Sequence, residues 1–148
     1  MVRITGTHGK LIDVQLLGVS EVIRKLRQQG IDITNNVDLA VVKSATLIEE
    51  ELKLSIAGKK VEPQSVDTGE LVDSITVMNV KPGYAEVGPE KRNYPGSDVD
   101  TVQTMTFMEY GTSRGISPRR HIRNTVARNK DKVRDKISNA VKVSVAKF

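Results

Sequence analysis

Hydrophobic and polar positions change period several times along this chain, and each change predicts an element. Over Leu11 to Leu17, Ile12, Val14 and Leu16 alternate with Asp13 and Gln15. Period two predicts a strand there. Gly18 breaks it, and Ser20 is placed to cap a short helix with the apolar stripe Val22, Ile23 and Leu26, ended by Gly30. Thr34-Asn35-Asn36 offers a second cap, with Asp38 in the first turn, where the helix dipole favours a carboxylate. Val41, Ala45, Ile48, Leu52 and Ile56 then recur at helical spacing, and Gly58 stops the run. Glu49, Glu50 and Glu51 read as a solvated face rather than a metal site.

A polar linker follows, from Lys59 to Asp67. Ser74–Lys81 and Tyr84–Val87 read as strands of a hairpin whose turn centres on Pro82-Gly83, with Gly88-Pro89 closing it. Proline presets its own dihedral and glycine accepts a positive one, which suits a type II turn. Residues 90–103 have no apolar period and predict a long flexible loop, a candidate contact segment through Lys91, Arg92, Tyr94 and Asp98. Thr104 to Tyr110 alternates again and predicts a strand. After a loop over Gly111–Ser117, Ser117-Pro118 predicts a helix start. Ile122, Val126, Val133, Ile137 and Val141 mark that helix's apolar face. Val141, Val143, Val145 and Phe148 then step by two or three, which predicts an extended C-terminal arm over 142–148 in search of a sheet. Together these elements predict one α+β domain over residues 1–148.

Charge changes this picture more than composition does. The net charge is +5, but the stretch from Arg114 onward carries +9 and residues 1–113 carry −4. An acidic body with a basic end points to a polyanion or an acidic protein surface as partner; a solvated helix face would give the same pattern. The chain has no cysteine and two histidines, which excludes a disulfide framework and a zinc ribbon. No apolar run reaches the length of a membrane span, and the first residues lack a signal-like apolar stretch.

Motifs for catalysis are wanting. Gly9-Lys10 and Gly58-Lys59 lack the remaining residues of a phosphate loop, and no nucleophile elbow, HExxH or dinucleotide fingerprint occurs. Asp67 and Glu70 flank Thr68-Gly69, which reads as a turn before it reads as a carboxylate pair. The sequence therefore predicts neither an enzyme nor a cofactor. Arg114, Arg119, Arg120, Arg123 and Arg128 crowd the start of the last helix, where the dipole disfavours cations. They either bridge to the acidic body or contact an anionic partner. His121 among them reads as packed or surface-exposed rather than as a sensor.

Four segments, in order, carry a resemblance: Val66-Asp67-Thr68-Gly69-Glu70-Leu71 with Ser74-Ile75; Val87-Gly88-Pro89; Glu109-Tyr110-Gly111-Thr112; and Pro118-Arg119-Arg120-His121-Ile122-Arg123. The set resembles the tail-completion, or head–tail joining, proteins of long-tailed bacteriophages. The resemblance spans roughly residues 11–145, and each motif is a turn. It makes Asp67, Thr68, Gly69, Gly88 and Gly111 fold-determining positions. Arg120 and His121 stand where the family usually has proline and phenylalanine. The resemblance implies a mixed or antiparallel sheet packed on two long helices with a short N-terminal helix. It also implies a ring, most often a hexamer, at the virion neck, assembled in the host cytoplasm. Its neighbours would be a head-completion or connector protein and a tail-tube or tail-terminator protein, with double-stranded DNA passing through the lumen and no membrane involved. The competing expectation is a sequence-nonspecific DNA-binding module built on the basic last helix.

Overall fold

A computed structural model describes residues 2–6, 12–16, 19–29, 32–65 and 69–146. Among these, the chain is α+β, and its sheet is antiparallel. β1 (Val2–Gly6) pairs with β2 (Ile12–Leu16), β2 with β4 (Tyr84–Pro89), and β4 with β3 (Ile75–Lys81), giving the order β1-β2-β4-β3. The helices are α1 (Val19–Gln28), α2 (Thr34–Ile56), α3 (Glu70–Ser74), α4 (Thr101–Tyr110) and α5 (His121–Val145). β1, α3 and α4 were not expected from the sequence.

The two long helices make the core. Val41, Ala45, Ile48, Leu52 and Ile56 of α2 are buried, as their spacing predicts, against Ile75 of β3, Ala85 and Val87 of β4, and Val133 and Ile137 of α5. The helices run antiparallel: Asn36 Nδ2 donates to Ser144 Oγ at 2.8 Å at one end, and Ser55 meets His121 at the other. Asp38 does not serve the α2 dipole. Its carboxylate accepts from the Gly83 amide at 2.7 Å and pins the β3–β4 turn to the start of α2. Gly83 has φ 68°, as the centre of a type II turn requires.

Several expectations are corrected. Residues 104–110 are helical, not a strand, because Thr101, Met105 and Glu109 are buried at a spacing of four. Asp100 caps that helix: its carboxylate accepts from the Gln103 amide at 2.8 Å, and the Gln103 side chain accepts from the Asp100 amide at 3.0 Å. The loop expected over 90–103 therefore ends at Asp100, and it is tied by an Asn93–Asp100 bridge. Ser117-Pro118 precedes the last helix rather than starting it; α5 begins at His121. Residues 142–145 remain helical, so no extended arm forms there, and Lys147 and Phe148 lie outside the described residues. Gly88 sits inside β4 opposite Thr76, not at a turn. Gly69 has φ 88° and Gly111 φ 76°, values that glycine accepts. Asp67 and Thr68 lie outside the described residues, as do Gly18 and Gly30.

Candidate interface at the start of the last helix

The start of α5 gathers most of the chain's distinctive chemistry. The Glu109 side chain at the end of α4 is 8% exposed, and its two carboxylate oxygens accept from the amides of Ile122 at 2.9 Å and Arg123 at 3.0 Å. Those amides have no partner within the helix. A carboxylate there also opposes the positive end of the dipole. Glu109 thus offsets the cost that the arginines impose on this end. The chain reaches this position through Gly111, whose conformation is closed to other residues: an added Cβ would lie 2.6 Å from the Ile116 carbonyl oxygen. The Arg119 amide then donates to the Met108 carbonyl at 2.7 Å, and Arg120 turns the chain into α5 at φ 55°. A proline, fixed near −65°, could not occupy that position as it stands.

Behind the helix start lies a buried polar chain that sequence reading missed. Ser55 Oγ donates to Glu62 Oε2 at 2.8 Å and lies 2.9 Å from His121 Nδ1. A serine has one hydroxyl proton, so Nδ1 carries the imidazole proton and donates to Ser55. Nε2 is then the acceptor, receiving the Ser65 hydroxyl at 2.7 Å. Arg119 Nη1 donates to Ser65 Oγ and to the Gln64 carbonyl, both at 2.6 Å. Arg128 closes the far end as an ion pair with the buried Glu62. The chain ties α2, the segment 62–65 and α5 together.

Electrostatics fix its protonation. Burial lowers the His121 pKa from 6.5 to about 4, against the attraction of Glu62 and helped by repulsion from Arg119 and Arg128. Burial would raise the Glu62 pKa, but hydrogen bonds from Arg128 and Ser55 prevail and hold it at about 2. Neutral histidine and ionised glutamate are therefore the resting forms at pH 7. Ser65, His121, Ser55 and Glu62 follow the order of a nucleophile–base relay. The imidazole is fully enclosed, however, and too weak a base at about 4 to take a proton at neutral pH. The arrangement is suited to holding a segment in place.

The five arginines thus fall into two groups. Arg119 and Arg128 are committed inward, to Gln64 and Ser65 and to Glu62. Arg114, Arg120 and Arg123 are exposed and form no ion pair among the described residues. Of the five arginines, these three are placed to present charge to a partner, with exposed Lys130 beside them on α5. In the 90–100 loop, Arg92 pairs with Glu90 at 2.9 Å and Lys91 with Asp100 at 3.5 Å, while Asp98 is exposed and Tyr94 half-buried. Among the described residues no group of three or more histidines, acids or cysteines is placed to hold a metal, and no helix is long and apolar enough to cross a membrane. Comparison with protein-family models, curated proteins and solved structures finds no match to this chain.

Proposed function

We propose that the chain is a structural subunit of a bacteriophage neck, forming a ring that completes the tail end and joins it to the head connector, with DNA passing through the lumen. The observation that carries this reading is the pairwise joining of the four ordered segments on which the resemblance rests. Ile75 of the first pairs with Pro89 of the second, and the Glu90 amide donates to the Ser74 carbonyl at 2.7 Å. Glu109 of the third caps the amides of Ile122 and Arg123 in the fourth. Four segments scattered in sequence thus form two structural joints, so each supports its partner as a unit of the fold. The reading needs no catalyst and no cofactor, and its charged face is the exposed trio Arg114, Arg120 and Arg123. Its test is particle composition. Quantitative mass spectrometry and labelled imaging of purified virions should find a ring's complement of copies, at the neck only. Absence from particles would overturn the reading.

A second reading, a sequence-nonspecific DNA-binding module, is favoured by the same exposed cations with Lys130. It predicts retention on duplex DNA that falls steeply between low and physiological salt. Loss of that retention in the Arg114→Glu, Arg123→Glu variant, with particle assembly unaffected, would decide for DNA binding.

A further inference from the structure

Two surface features at opposite ends of the sheet have complementary chemistry. The first is a groove of about 340 Å³ along the seam of α2 and α5. Its apolar lining is Leu39, Ala40, Ala140 and Val143, and Lys43 and Lys136 line it too. Leu39 and Val143 are 52% and 54% exposed, a high value for side chains of their size. Neither lysine forms an ion pair among the described residues, and no acid lines the groove.

The second is a finger that follows β4. The Asn93–Asp100 bridge closes its base, the Ser97 amide donates to the Tyr94 carbonyl at 3.1 Å, and Gly96 turns the tip at φ 72°. Pro95, Ser97 and Asp98 are exposed. The finger's cations are cancelled locally, Lys91 by Asp100 and Arg92 by Glu90, so Asp98 is its unbalanced charge. The acidic tip is therefore complementary in charge to the basic, apolar groove.

One chain cannot join them. The β3–β4 turn is pinned to Asp38 beside the groove, whereas the finger leaves the far end of β4. A six-residue strand separates those ends by ~20 Å. We infer that the finger around Asp98 seats in the α2–α5 groove of a second copy, with the Asp98 carboxylate received by Lys43 and Lys136. Because finger and groove are different patches, the contact is heterologous: it repeats head to tail and closes into a ring when the rotation per copy allows. The contact stands independently of the neck reading; the closure into a ring at the neck rests on it.

The absence of native cysteine makes a direct test clean. A double variant, Ser97→Cys with Val143→Cys, which keeps the Asp98 carboxylate, is oxidised at high protein concentration and run without reductant. The expected product is a ladder of covalent oligomers, while each single variant gives at most a dimer. Monomer alone, whether or not bridged internally, overturns the inference. The charge is tested separately by sedimentation. Asp98→Lys should lower self-association at least tenfold, and Lys43→Asp with Lys136→Asp should restore it in the same chain. Self-association indifferent to both changes would assign the groove to another occupant and overturn the inference. A ladder from a chain absent from virion necks would overturn the neck reading and leave this contact standing.

Discussion

Arg128 and Arg123 lie five residues apart on the same helix, yet their substitution should have opposite consequences. Glu62 is 5% exposed and ion-paired to Arg128. Arg128→Ala strands that carboxylate and should cost roughly 3–5 kcal/mol in chemical unfolding. Arg123→Ala, at an exposed site, should change stability by no more than about 0.5 kcal/mol. Equal effects would contradict the division of the arginines into inward and outward groups. His121 adds a pH dependence. Its folded pKa of about 4 lies below the ordinary 6.5, so the unfolded chain binds the proton more tightly. The contribution is fully present above pH 6.5 and is lost as pH falls toward 4, at most roughly 3 kcal/mol. Glu62, held at about 2, adds a second loss in the same direction below pH 4.5. Urea midpoints measured from pH 7 to pH 4 should fall accordingly, and the His121→Gln variant should show a flatter profile. An unchanged midpoint over that range would contradict a buried neutral imidazole.

At the scale of elements, α4 and α5 are joined by one carboxylate and one glycine. Glu109→Ala removes the acceptor for two amides at the helix start and should cost about 1–2 kcal/mol. Hydrogen exchange should localise the loss: the amides of Ile122 and Arg123 lose protection, while the middle of α5 keeps it. Gly111→Val places a side chain at φ 76°, 2.6 Å from a carbonyl oxygen, and should destabilise by about 3 kcal/mol or more. Gly69→Val is milder, since an added Cβ there meets nothing closer than 3.9 Å, and its cost is that of the φ alone. Thermal melts that rank Gly69→Val below Gly111→Val in stability would contradict this ordering. The helix over 101–110 shows why local pattern misled. Thr, Met and Phe alternate there as in a strand, but the burial runs by fours through Thr101, Met105 and Glu109. The Asp100–Gln103 capping box was legible in sequence and outranks the alternation, because it satisfies amides that only a helix leaves open.

Across the whole molecule, the uneven charge resolves into a partly neutralised interior and an exposed face. The joint substitution Arg114→Glu with Arg123→Glu should leave the melting temperature within a few degrees of the parent; under the proposed neck role it should also abolish head–tail joining in an assembly assay. Normal joining by that variant would remove the docking role of this face. Arg119→Glu belongs to a different class. It breaks the hydrogen bonds to Gln64 and Ser65, so a defect there would report on folding as much as on docking.

The sequence by itself determined the α+β class, both long helices, the β3–β4 hairpin and its turn, and the core residues Val41, Ala45, Ile48, Leu52 and Ile56. All of these rest on local period and on glycine or proline dihedrals, which act over a few residues. It also placed the arginines at a helix start, but not their partners. Only the tertiary structure decided that Arg119 and Arg128 turn inward, that His121 is neutral, and that Glu109 caps a helix thirteen residues further on. It likewise decided that 104–110 is helical and that the C-terminal valines continue α5. Each of these depends on which distant groups share a buried volume. Removing water there makes one hydrogen bond or ion pair prevail over local propensity, and no window of neighbouring residues contains that information.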